Sequence, residues 1–461
     1  MIMRKPRLFR GGIWVIPLVF AVLLGQVLPP SAWASQSVEE RLEELEQEIR
    51  TLKRQREVEQ EVSAKKEKET PVVVAGDKGF ALQSKDKSFE FKLRGYIQAD
   101  SRSFLGDDSA PASDTFIARR IRPQFEGTLY KYVGFRFMPD FGSGVTSIQD
   151  AYIDFKYWKS ASLRFGKFKA PFGLERLQSG TALTFIERGL PTNLVPNRDL
   201  GVQLFGELFD GRLEYQVGVF NGVADGASAD QDIADDKDLV ARLFSTPFKE
   251  SNHSWISGLG LGAAVSFGEA HGNANNTGLP TYRSTGQQTA YSYLSGTGAP
   301  FADGDRFRFS PQTYYSWGSF GLLGEYVFSQ QAVRRGAVED DLLSRAWQIA
   351  PSYVLTGEEA SFKGVTPRHS FDPSKGTWGA FEVAARIGGL STDDEAFSRY
   401  VDPLRSANDL KSWGLGLNWY LNKNLKFQTN FDQTFFDGAQ LSGGKDREVE
   451  NALFTRVQAA F

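Results

Sequence analysis

The sequence predicts an all-β fold: a transmembrane antiparallel β-barrel of about 16 strands, preceded by a short N-terminal helical coiled-coil segment. Three observations carry this. From about residue 88 to the end, apolar and polar residues alternate with period two in segment after segment. After the N-terminal leader there is no run of about 18 apolar residues, so closing a barrel is the one way this chain can span a bilayer with its backbone hydrogen bonds satisfied. The last strand, Leu453–Phe461, places Leu453, Val457, Ala459 and Phe461 on one parity and ends on an aromatic residue, the pattern of an outer-membrane assembly signal.

Composition narrows the function classes. Aromatics make up 13% of the 461 residues and mean hydropathy is -0.34, which excludes a disordered chain and a helical membrane protein alike. With 53 basic and 56 acidic residues there is no global basic field, so no nucleic-acid partner is expected, and anion binding requires cations gathered locally. The absence of cysteine excludes disulfide scaffolds, thiolate metal sites and thiol catalysis. His253, His271 and His369 lie far apart in sequence, and no cofactor or metal is expected.

Residues 1–34 read as a signal peptide. Arg4, Lys5, Arg7 and Arg10 precede an apolar run from Ile13 to about Leu28, and Ala32-Trp33-Ala34 gives a small-x-small cleavage site. A permanent anchor is disfavoured by the shortness of the run and by Pro17. Residues 35–70 are dominated by Glu, Gln, Arg and Lys. There Val38, Leu42, Leu45, Ile49 and Leu52 alternate at spacings of four and three, an a/d seam that fails at Arg56 and Glu59. Two readings stay open, a coiled coil of about two heptads held together by something else, and a solvated amphipathic helix. Residues 71–87 form a linker, and 88–461 the barrel.

Sixteen alternating segments follow. The first, from Phe89, sets Phe91, Leu93 and Ile97 on one face and Lys92, Arg94, Tyr96 and Gln98 on the other. Tight connections such as Asn422-Lys423-Asn424 alternate with long ones, notably Ala270–Asp305, as in a barrel with one plain rim and one elaborated rim. A soluble multi-sheet protein accounts for the alternation but not for its combination with a leader and this chain end. A barrel of this size encloses water unless plugged, so function lies in the lumen. Parity places Arg120, Arg122 and Arg136 inward, with Lys92 and Arg94. The stretch Lys169–Asn197 is too apolar to float in solvent. Folding inward, it would bury Leu174, Leu183, Phe185 and Ile186 and hold Arg176, Arg188 and Arg198 at the narrowest point.

These residues resemble a known family, the phosphate-selective porins O and P of Gram-negative outer membranes. The resemblance rests on Lys92-Leu-x-Gly-x-x-Gln-Ala-Asp100, Arg119-Arg120, Phe172-Gly-Leu-Glu175, Glu187-Arg188, Leu355-Thr-Gly-Glu358 and Asn418-Trp-Tyr420, in order from about residue 88 to the end. It implies a trimeric sixteen-stranded barrel in the outer membrane with loops folded into the lumen, passing small anions by diffusion without a cofactor. It also implies a site made of Arg119, Arg120, Arg122, Arg176, Ser179 and Arg188, with Lys92, Arg94, Arg136, Lys169 and Arg198 as secondary lumen residues. Several positions depart from the family pattern. Tyr96 replaces an arginine, Arg122 a tyrosine, Gly134 a lysine and Gln149 an aspartate, and Ala270–Asp305 holds a single cation, Arg283. The expected function is an outer-membrane porin for phosphate or other oxyanions. The alternatives are a general non-selective porin and a structural tether that contacts cell wall or a partner through residues 35–70. A barrel hydrolase is disfavoured by the placement of the histidines.

Overall fold

The structure is a computed structural model that describes residues 37–106, 112–232, 234–273, 275–440 and 446–461. The expected signal peptide lies outside the described residues. The chain divides into two compact units, residues 1–67 and 68–461. Helix α1, Val38–Glu69, belongs to the first except for its last two residues. A capping box opens it: the Ser37 hydroxyl accepts from the Glu40 amide at 3.2 Å, and the Glu40 carboxylate accepts from the Ser37 amide at 3.2 Å.

In the second unit, the stretch expected as a linker forms a hairpin of β1 (Val72–Gly76) and β2 (Gly79–Gln83). The β-branched run Val72-Val73-Val74 favours extended backbone, and β2 pairs with the start of the next strand, Phe80 opposite Leu93. The barrel strands are β3 (Glu90–Leu105), β4 (Thr115–Leu129), β5 (Val133–Asp140), β6 (Ser147–Trp158), β7 (Ala161–Lys169), β8 (Arg198–Leu208), β9 (Leu213–Phe220), β10 (Asp238–Ser245) and β11 (Leu259–His271). After a small separate hairpin of β12 (Thr281–Arg283) and β13 (Thr289–Ser292) come β14 (Phe301–Trp317), β15 (Phe320–Arg335) and β16 (Val338–Val354). The wall ends with β17 (Ala380–Ser391), β18 (Ala407–Tyr420), β19 (Leu425–Gly438) and β20 (Val449–Ala460). Each of these sixteen pairs antiparallel with its neighbours, and β20 closes on β3 from Asn451–Leu105 to Ala460–Tyr96. The chain end completes the seam: the Phe461 and Gly95 amides and carbonyls exchange hydrogen bonds of 2.9 and 3.0 Å.

Burial is inverted relative to a water-soluble sheet. On β3, Phe91 and Ile97 are exposed while Gln98 and Asp100 are buried, and the same parity runs around the wall. That is what lipid outside and polar packing inside require. Aromatic residues gather at the rim of short turns, where Tyr132 stacks on Tyr157 and Phe381 on Trp419.

The expected contrast of plain and elaborated rims is reversed between β15 and β17. On the long-loop rim, β15 and β16 are joined by Gly336-Ala337 alone, whereas the opposite rim carries the long connection 355–379. Its apolar content explains this: Ala360 and Val365 are buried against Val354, Ala380 and Tyr420, and the Phe362 ring lies 5.2 Å from that of Tyr314. The connection therefore turns inward.

Segment 170–197 also folds into the lumen, as its composition predicted. Phe172, Leu190, Leu194 and Val195 join one cluster with Val327, Val333 and Ala346 of the wall, and Ile186 packs on Ala452 and Phe454. Its backbone is held by inward side chains of β15–β20. The Glu325 carboxylate accepts from the Leu174 and Glu175 amides, Asn430 accepts from the Ile186 amide at 2.7 Å, and Arg456 donates to the Ile186 carbonyl at 2.8 Å. Above it sits the β12–β13 loop, where Ser284 donates to Glu450 at 2.6 Å and Asn193 exchanges hydrogen bonds with the Arg283 backbone. These insertions fill the β15–β20 side and leave the open path along β3–β9.

Candidate functional site

Three adjoining cavities mark that path, of about 540, 260 and 230 Å³. The upper one opens among the long loops; it shares Lys169, Gly180 and Arg198 with the middle one, which shares Arg136 and Tyr152 with the lowest, beside the β4–β5 turn. The upper cavity is lined by eight cationic side chains and three carboxylates, the middle by four and one, and the lowest by four and three. Positive charge is therefore concentrated above and at the neck.

Neutralisation is uneven among these cations. A single carboxylate, Glu187, lies 2.6 Å from both Arg102 and Arg119, 3.7 Å from Arg120 and 3.8 Å from Arg456. Arg122 is paired with Asp140 at 2.7 Å and Arg198 with Asp150 at 3.0 Å. Three cations of the upper cavity, of which Lys169 also lines the middle one, instead have main-chain carbonyls as hydrogen-bond partners. Lys169 donates to Leu177 and Gln178, Arg176 to Thr192 at 2.7 Å, and Arg188 to Glu175 and Gln178 at 2.9 and 2.8 Å. Carbonyls orient these groups without cancelling their charge, so they attract an anion that enters.

Strict alternation would put Arg119 and Arg120 on opposite faces. A β-bulge resolves this: Gln98 pairs with Arg120 but Ala99 pairs with Ala118, leaving Arg119 as the extra residue. Both guanidiniums thereby reach Glu187. Beyond the bulge the parity flips, and Phe116 faces out at 88% exposure.

Of the remaining predicted residues, Ser179 and Arg136 line the middle cavity and Lys92 the lowest. Arg94 lines none of the three and is paired with Glu126 at 3.1 Å. Arg164 was missed. It lines the middle cavity, forks onto Asp154 at 2.7 and 2.9 Å and stacks 3.9 Å from the Tyr152 ring; its inward parity on β7 was the available signal. Arg283 also lines the upper cavity, carried there by an infolded loop that no local pattern reveals.

Two of the expected departures from the family pattern meet in the structure. Tyr96 and Arg122 are cross-strand partners, and Arg122 donates to the Tyr96 hydroxyl at 2.9 Å. An arginine and a phenol thus stand together in the lumen. Similarly, the Lys156 ammonium stands 3.6 Å from where a Cβ on Gly134 would be, so a neighbouring strand supplies a cation at the glycine. Gln149 lines the upper cavity without charge.

A closed barrel with a lipid-facing exterior and a cation-lined aqueous path defines an outer-membrane channel of the porin class. Residues 91–461 match the phosphate-selective porin O and P family, and the chain belongs to it. It is an outer-membrane porin of a Gram-negative bacterium. Over 415 residues it is 24% identical to Porin O of Pseudomonas aeruginosa, covering 85% of this chain and 92% of that protein. Among solved structures, the outer membrane channel DcaP of Acinetobacter baumannii matches 82% of this chain and 99% of its own, with a TM-score of 0.52 at 13% identity. OmpT, an outer membrane protein of Vibrio cholerae, matches 81% and 98%, with a TM-score of 0.51 at 10% identity. At these identities the likeness to solved structures is one of fold.

Proposed function

We propose that this porin passes small anions, phosphate and other oxyanions among them, by passive diffusion and as a homotrimer, with Arg119, Arg120, Arg122, Arg176, Ser179 and Arg188 forming the anion path. The observation that carries the reading is the trio Lys169, Arg176 and Arg188 in the upper cavity, held by carbonyls rather than carboxylates. Residues 71–461 hold 41 basic and 45 acidic side chains, so overall charge supplies no reason to favour anions. Local arrangement does. An anion at the neck meets several guanidinium forks in succession, each able to replace lost hydration and pass the ion to the next, as conduction requires. The cations gathered along the lumen support the same reading, including Arg122, which keeps its phenol partner, and Lys156 beside Gly134. None of the three histidines lines the three cavities, which supports diffusion over catalysis.

Single-channel recording tests this. Reversal potentials across a KCl gradient should report chloride over potassium, and phosphate should block chloride current at concentrations well below those of chloride. A pore without anion preference would establish the general-porin reading, and a closed barrel would leave a tether.

A further inference from the structure

The apolar seam of helix α1 is exposed: Val38, Leu42, Leu45, Ile49 and Leu52 are 49% to 76% accessible. Five apolar side chains on one stripe of a charged helix call for a partner, and the flanking charges are those of self-pairing. With Leu42 and Ile49 at a and Val38, Leu45 and Leu52 at d, the g and e positions hold Arg41 and Glu46, then Glu48 and Lys53. In a parallel, in-register bundle, each g residue meets the e residue five positions further along the next helix. Arg41 then meets Glu46, and Glu48 meets Lys53, both of opposite sign. An antiparallel pair centred on Leu45 would set Glu46 against Glu46 but would also pair Arg41 with Glu48, so the charges admit either direction. Within one chain Glu46 has the exposed Arg50 at 3.4 Å, a pairing of little worth. Connectivity chooses the parallel one. Glu69 at the end of α1 runs almost directly into Val72 of β1, and copies of a barrel in one membrane share one orientation, so their helices start parallel.

We infer that α1 is one strand of a parallel, in-register three-stranded coiled coil formed over Val38–Leu52 with two further copies of this chain. This rests on the homotrimer reading, because so short a seam does not hold free helices together, whereas a barrel trimer raises their local concentration. Beyond Leu52 the a and d positions are Arg56 and Glu59, so the coil ends there and the remaining turns stay solvated.

The chain has no cysteine, which gives thiol cross-linking a clean background. In the full-length porin in isolated outer membranes, Leu52→Cys, at d, should give disulfide-linked dimers on mild oxidation, with about one chain in three left unlinked because three thiols cannot all pair. Arg54→Cys, at the outward f position, should link at least about tenfold less. Adding Arg41→Glu to Leu52→Cys should cut linkage several-fold, and adding Glu46→Arg to that pair should restore it. Equal linkage at Leu52 and Arg54 would overturn the coil. Complete linkage at Leu52 would mean a two-stranded one, and linkage only between Val38→Cys and Leu52→Cys chains an antiparallel one; each overturns the inference. Native mass spectrometry in detergent separates the layers: a trimer without links refutes the coil and keeps the homotrimer, whereas a monomer refutes both.

Discussion

Replacing Arg176 and Arg188 together with Glu removes two cations from the upper cavity and adds two carboxylates. Its lining changes from eight cations against three acids to six against five, so the net of five positive charges falls to one. Taking an ion about 6 Å from each changed group, with water-like dielectric and the roughly 10 Å screening length of 0.1 M salt, each unit of charge is worth about 0.4 kcal/mol. Four units give about 1.5 kcal/mol, or roughly tenfold in anion occupancy at the neck, with an opposite change for cations. In 1 M salt the screening length falls to about 3 Å and the same double variant should change anion occupancy only about twofold. The corresponding Gln pair changes two units of charge and should produce roughly a threefold effect in 0.1 M salt. The assay is the chloride-to-potassium permeability ratio from reversal potentials at both salt levels, with circular dichroism confirming the barrel. Lys156→Glu is the comparison: this lysine is 51% exposed in the lowest cavity and should shift the ratio less. If the Glu pair kept the parental ratio in 0.1 M salt, or if Lys156→Glu matched it, segment 170–197 would not be the filter.

Three other outcomes follow from the same geometry. Glu187→Gln leaves Arg102 and Arg119 without the carboxylate 2.6 Å away; removing a buried partner typically costs about 3–5 kcal/mol, so thermal melting in detergent should fall by several degrees, and an unchanged midpoint would show that the cluster contributes little. Tyr96→Arg sets two guanidiniums opposite each other and Arg122→Tyr removes the lumen cation, so each alone should lower the conductance of the anion path or the stability of the barrel. The exchanged double variant should recover both, with a coupling of about 0.5–3 kcal/mol in the stability cycle, and simple additivity would show that the two side chains do not act as a pair. Shortening connection 355–379 to a tight turn removes Phe362, whose carbonyl accepts from Gln178 at 2.9 Å. Single-channel conductance should then rise, and an unchanged value would place this connection outside the rate-limiting path.

Much of the fold was legible because a strand between lipid and water writes its two environments into alternate residues. All sixteen strands were anticipated within a few residues, and the inward parity of Arg122 and Arg136 follows from one period-two count. The inward folding of segment 170–197 was legible too, since Leu174, Leu183 and Ile186 had no place in solvent. Parity failed at Arg119, where the bulge inserts one residue. The hairpin at residues 72–83, expected as a linker, was missed because its pairing with β3 depends on where the barrel begins.

What the sequence by itself determined is therefore local: strand count, the face each side chain takes, and the apolar content of loops that must be buried. Which cations remain available to an ion was decided only by tertiary structure. Lys169, Arg176 and Arg188 look no different in sequence from Arg102, Arg120 or Arg456, yet the last three converge on Glu187, while the first three point at carbonyls. Neutralisation is a property of pairs brought together from distant strands and infolded loops. Because Coulomb attraction falls with distance and is screened within about 10 Å, it depends on that convergence and not on composition.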